Sequence, residues 1–137
     1  MDLLSDPAIL VEIRRAWRES EADDPAIRHE EGGYIVLNAD LSYGVERWPR
    51  GERSRIVPPS LDIDNRYGGK EVVAAFHTHP NPPVDKAGRE WEQGPGEGDR
   101  RWHARRKLRG IVVGGEFVYE IDADAKIKVI GRREDLL

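Results

Sequence analysis

With 137 residues, 38% hydrophobic and 35% charged, the chain has the size to bury one core and is expected to fold as a single domain over 1–137. It contains no cysteine, which excludes disulfides, thiolate metal ligands and a cysteine nucleophile, so any metal must be held by nitrogen and oxygen. A net charge of −4 weighs against a nucleic-acid surface, and the lack of a basic-then-apolar leader or a long apolar run points to no membrane association and a cytoplasmic location.

The first predicted element is a helix over about 7–20. Ser5-Asp6-Pro7 joins a capping side chain to a proline suited to the first turn, and Ile9, Ile13, Ala16 and Trp17 then share one helical face. Glu12, Arg14, Arg15, Arg18 and Glu19 take the solvent side. The link Glu21-Ala22-Asp23-Asp24-Pro25 breaks the helix, and the core of the domain follows over about 28–130. His29-Glu30-Glu31 leads through Gly32-Gly33 into the β-prone run Tyr34 to Leu37. Paired glycines let the backbone turn or come very close to another element. Asn38-Ala39-Asp40 predicts a hairpin turn into an alternating strand, Leu41 to Trp48. A charged loop over 49–54, a short strand at Arg55-Ile56-Val57 stopped by Pro58-Pro59, and an irregular stretch over 61–69 come next.

Val72-Val73-Ala74-Ala75-Phe76 reads as a fully buried strand that continues into His77-Thr78-His79 and is stopped by Pro80. Residues 81–98 are rich in proline, glycine and charge, a loop of the length that usually carries function, and Trp91 stands inside it. A helix is expected from near Gly96 to about Lys107. The buried strand Ile111-Val112-Val113, a Gly114-Gly115 turn, and strands over Phe117 to Ile121 and Ile127 to Ile130 complete the pattern. The basic run from Arg100 to Arg109 is read as a charged outer face, or as a docking patch for an acidic partner. Trp17, Trp48 and Trp102 are expected in or beside the core. The sum is an α/β domain with a mixed central sheet flanked by helices.

Residues two apart on a strand face the same way, so His77 and His79 aim their imidazoles at one point, where a metal ion is the natural occupant. Asp99, in the first turn of the later helix, can complete a set of two histidines and one carboxylate. Three protein ligands leave one tetrahedral position for water, as in catalytic zinc sites, and a nearby carboxylate such as Glu30 can draw off its proton. Alternatives remain at three places. Glu31 could serve in place of Glu30, Asp85 could replace Asp99, and His103, four residues after Asp99, could reach the site from the same helical face.

The three pieces, Glu30 to Gly33, His77-Thr78-His79-Pro80 and Pro95 to Asp99, occur in an order that resembles the JAMM motif of the JAB/MPN metalloproteases. The resemblance spans about residues 28–121. It implies a JAB/MPN-like (cytidine-deaminase-like) domain of the bacterial, deubiquitinase-like kind. It further implies Zn2+ held by His77, His79 and Asp99, with Glu30 as general base. The implied activity is zinc-dependent hydrolysis of an amide bond at the C-terminus of a ubiquitin-like protein, with that protein, its conjugates and its activating and conjugating enzymes as partners.

Two departures bear on activity. Gly96 stands where the family carries a serine that orients the water or stabilises the oxyanion, and loss of one such donor costs about 10²–10³ in turnover. The connection from His79 to Asp99 is also several residues longer than the family's common spacing. Trp91 in that segment and Tyr34 are the candidate substrate contacts. Gly96 therefore leaves open a binding module for a ubiquitin-like partner with little chemistry, and the same site could also serve a hydrolase of small amides.

Overall fold

The computed structural model describes residues 2–137; Met1, counted in the domain expected over 1–137, lies outside the described residues. Asp6 starts helix α1 (Pro7–Glu19), its Oδ1 accepting from the N–H groups of Ala8 at 2.9 Å and Ile9 at 3.2 Å, donors that have no partner within the helix. Ile9, Ile13 and Ala16 are fully buried, so each isoleucine contributes roughly 1.5–3 kcal/mol of burial. The helix stops at Ser20, after which Glu21 adopts φ 53°.

The strands are β1 (Gly32–Leu37), β2 (Tyr43–Arg47), β3 (Arg66–Tyr67), β4 (Lys70–Thr78), β5 (Arg109–Val113), β6 (Phe117–Ile121) and β7 (Ile127–Arg132). They form one mixed sheet in the order β2-β1-β4-β5-β6-β7, with β3 paired to the start of β4. Only β4 and β5 run parallel, and helix α2 (Glu97–Arg106) lies between them in the chain. This is the α/β architecture with a mixed sheet that the alternation of apolar segments predicts.

Strand alternation divides the core. Ile35, Ala74, Phe76, Ile111 and Val113 pack with α1 on one face. Tyr34, Val36, Val72 and Ala75 pack on the other with Trp48, Leu108 and Trp102, the last of these from α2. Trp48 is buried, while Trp17 and Trp102 are half-buried at the core edge.

Two expectations are corrected. Arg55-Ile56-Val57 joins no strand: Pro58 and Pro59 remove backbone donors, and the segment is tied locally by Glu52 N donating to Arg55 O at 2.7 Å. The stretch over 61–69 is not wholly irregular, because Gly68 and Gly69, at φ 56° and 80°, turn β3 back onto β4. A short helix, α3 (Arg133–Leu136), follows β7, beyond the last predicted strand. Among the described residues no helix is long and apolar enough to cross a membrane.

Candidate metal centre

The last turns of β4 set the site. His77 lies within the strand, and although His79 falls just beyond it, its N–H still donates to Val113 O at 2.8 Å, so alternation carries both rings to the face shared with α2. Thr78 points the opposite way, where its Oγ1 meets Ser20 Oγ at 2.6 Å and accepts from Glu31 N at 3.0 Å. Gly32 lies opposite His77 in the β1–β4 register. A Cβ on Gly32 would come within 2.7 Å of Phe76 O and 2.6 Å of Trp48 Cε3, so only glycine lets β1 approach this closely.

That register brings Glu30 and Glu31 beside the histidines, facing opposite ways. The Glu31 carboxylate is taken up by His29 Nε2 at 2.5 Å and Arg47 Nη2 at 2.6 Å, and Arg47 also reaches Glu19 at 2.9 Å. Glu30 turns instead toward the imidazoles, and its carboxylate and the two rings each offer a ligand atom within 4.8 Å of the others. From the far side, Gly96 caps α2 and its N–H donates to Asp99 Oδ2 at 3.0 Å, holding that carboxylate at the mouth of the site. The His77 and His79 Nε2 atoms are 3.1 Å apart, and Asp99 Oδ2 lies 3.4 Å from the first and 3.6 Å from the second.

Those three edges test the fit to zinc. Metal–ligand bonds of about 2.0–2.1 Å in a tetrahedron require ligand–ligand edges of about 3.3–3.4 Å, and the observed triangle brackets that value. Two triads share the histidines, one closed by Asp99 and one by Glu30. The Asp99 triad is the tighter, and its acid is anchored by a backbone donor.

Charge is arranged to match. Burial alone would raise Asp99, but the hydrogen bond and charge of His77, the Gly96 N–H and the charge of His79 outweigh it and hold Asp99 well below the usual carboxylate range. Burial would lower His77, yet the hydrogen bond and charge of Asp99 and the charge of Glu30 raise it above its ordinary value. Burial and the neighbouring His77 push His79 down to about 4, leaving a neutral imidazole. Glu30 is raised to about 7, chiefly by burial, with the charge of His77 opposing and Asp99 and Glu92 adding.

The remaining sequence candidates fall elsewhere. Asp85 is spent within its own loop, accepting from Ala87 N and Arg89 N at 2.9 Å each and from Trp91 Nε1 at 3.1 Å, so it is a staple of that loop and stands outside the triad. Trp91 is half-buried, covered by the Arg89 guanidinium at 4.0 Å, and lines a side pocket that also touches Glu30 and His79. Tyr34 is fully buried, ringed by Trp48, Tyr67 and Trp102, and donates to Pro59 O. That burial corrects its assignment as a substrate contact: alternation along β1 sends it into the core. His103 lines the cleft but its Nδ1 is engaged with Leu108 O at 2.8 Å.

An open cleft of about 420 Å³ gives access to the triad. Its walls include residues that sequence reasoning did not single out: Glu92 and Glu97 on the α2 side, Ser54, Arg55 and Ile56 on the opposite rim. Neither segment has a periodic pattern, and only chain closure brings them to the histidines. Comparison with protein-family models, with curated proteins and with solved structures finds no match to this chain.

Proposed function

We propose that this cleft is the active site of a zinc-dependent amide hydrolase, a JAMM-type isopeptidase acting at the C-terminus of a ubiquitin-like protein. The observation that supports it is the triangle of His77 Nε2, His79 Nε2 and Asp99 Oδ2, with edges of 3.1, 3.4 and 3.6 Å and Glu30 beside it. These three residues would hold the ion. When bound, zinc supplies a Lewis acid for the scissile carbonyl and makes water a competent nucleophile near neutral pH.

Glu30 does the proton work. Water adds to the carbonyl carbon, the carbon–nitrogen bond breaks, and Glu30 carries one proton from the water oxygen to the departing amine nitrogen. A carboxyl raised to about 7 by burial both accepts and returns a proton readily at neutral pH. Glu31, held by His29 and Arg47, is taken out of this role. Trp91 and the cleft rim would meet the substrate chain.

Gly96 favours a second reading, a module that binds a ubiquitin-like partner and its conjugating machinery with little turnover, since no hydroxyl stands at the start of α2. Metal analysis of the purified protein, with cleavage of a ubiquitin-like fusion by wild type and Glu30→Gln, decides between them. Stoichiometric zinc and turnover lost on chelation and in Glu30→Gln are expected. Zinc without turnover would favour the binding module, absence of zinc would refute the hydrolase, and robust zinc-dependent turnover would eliminate the binding module.

A further inference from the structure

The long connection over 81–98 contains a built hairpin beside the metal centre. Val84 and Glu90 form an antiparallel bridge, Asp85 N donates to Arg89 O at 3.0 Å, and Gly88, at φ 80°, donates its N–H to Asp85 O at 3.0 Å. Trp91 N then donates to Pro83 O at 3.0 Å. At the base, Gln93 Nε2 donates to Asn81 O at 2.9 Å and to Trp91 O at 3.2 Å, so the hairpin is anchored two residues after His79.

The two oxygens of Asp85 have different partners. Oδ1 accepts from Ala87 N and Arg89 N at 2.9 Å each and closes the turn, whereas Oδ2 accepts from the indole Nε1 of Trp91 at 3.1 Å. The Arg89 guanidinium lies over the same indole, 4.0 Å from its centroid. The turn needs only the first oxygen. The second fixes the orientation of the ring, and a ring fixed before a ligand arrives costs less to order on binding.

Trp91 lines the side pocket of about 250 Å³ that also touches Glu30 and His79, a space suited to a single side chain. Among the described residues that line it, Trp91 alone brings a large apolar surface. Glu30, Glu90 and Glu92 turn away an acidic side chain, and Arg89 already fills the place over the indole that a substrate cation would take. What remains is ring surface for an uncharged aromatic group.

We propose that Asp85 is a positioning residue: by holding Trp91 it sets a pocket that seats an uncharged aromatic side chain of the substrate. This takes its purpose from the amide-hydrolase reading, but its test is a binding measurement on metal-free protein that needs no turnover.

The probes are acetyl-Ala-Phe-Ala-amide and acetyl-Ala-Ala-Ala-amide, titrated by calorimetry into EDTA-treated full-length protein. The indole N–H signals are followed by nitrogen-edited NMR, with Trp91→Phe assigning that of Trp91. Wild type should bind the phenylalanine peptide about three- to tenfold more tightly, the worth of one aromatic contact, and the Trp91 signal should move on binding. Asp85→Asn keeps an oxygen for the two backbone donors but turns an amide donor toward the indole N–H. It should shift the Trp91 signal of the free protein and erase the preference. Trp91→Phe removes the same bond without touching the turn, and should weaken the preference even where Asp85→Asn does not fold. In the Trp91→Phe background Asp85→Asn should change affinity no further, whereas a merely structural role would lower it in both backgrounds. Equal binding of the two peptides to wild type, a Trp91 signal that stays still on binding, or a preference undiminished by Asp85→Asn or by Trp91→Phe would overturn the proposal. If the zinc-loaded protein cleaves no amide, the hydrolase reading fails and these binding results stand.

Discussion

Thr78 Oγ1 and Ser20 Oγ lie 2.6 Å apart in the core, tying the end of α1 to the strand that carries both histidines. The same Thr78 oxygen accepts from Glu31 N at 3.0 Å, and Thr78 N donates to Glu31 O at 2.9 Å. One threonine thus fixes the segment from which Glu30 reaches the cleft.

Thr78→Val keeps the shape but strands the buried Glu31 N–H, while the Ser20 hydroxyl loses its contact with Thr78 and keeps its bond to Ala16 O. A loss of about 1–3 kcal/mol in urea unfolding is expected, with Thr78→Ser recovering most of it. Unchanged midpoints in both variants would show that this network does not support the site.

The adjacent glutamates should separate by kind of defect. Glu31→Gln breaks a buried, charged contact with His29 and Arg47 and should destabilise by about 2–4 kcal/mol, tempered by the partial exposure of Arg47. Glu30→Gln should leave zinc uptake intact and cut hydrolysis by about 10²–10⁴. Thermal melts and steady-state kinetics on the two variants test the contrast, and a Glu31→Gln protein that is stable but inactive would reverse the assignment.

Glu30 also links stability to pH in the metal-free protein. Its folded value, about 7, lies above the ordinary 4.5, so the fold prefers the protonated acid. Its contribution is then fullest below pH 4.5, declines as pH rises and levels off above 7. Metal-free Glu30→Gln should therefore exceed wild type in stability at pH 8 by on the order of 2–3 kcal/mol, the gap closing near pH 4. Denaturant titrations at the two pH values measure it. A gap that does not change with pH would exclude Glu30 as the titrating group.

In the proposed metal centre an ion would bind beside His77 and Asp99, where the nearby acids favour the protonated imidazole. Because Asp99 and Glu30 raise His77, zinc uptake near and below its ordinary 6.5 should release a proton, and affinity should fall about tenfold per pH unit. Calorimetry in buffers of differing ionisation enthalpy counts the protons. His77→Ala should abolish high-affinity uptake, and chelation should lower the melting temperature of wild type only.

Much of this site is legible along the chain because its signals are local. The pairing of His77 with His79 follows from strand alternation, the place of Asp99 from the spacing of a helix start, and the need for Gly32 from the close approach that only glycine permits. The hairpins and α1 follow from period and capping for the same reason. The spacing to Gly33 favours Glu30 over its neighbour but leaves Glu31 open; His29 and Arg47, reached through β-strand register, take up Glu31 and leave Glu30 to the cleft. Tyr34 looked available in sequence and is buried because α2 and Trp48 close over that face.

The sequence by itself determined the residue types of the triad and their order, since periodicity and capping act within a few residues. The tertiary structure alone decided the triangle's dimensions, the engagement of Glu31 by His29 and Arg47 and the arrival of Glu92 beside Gly96. Those depend on strand register and on how the loop before α2 closes, and both are governed by contacts between residues far apart in the chain.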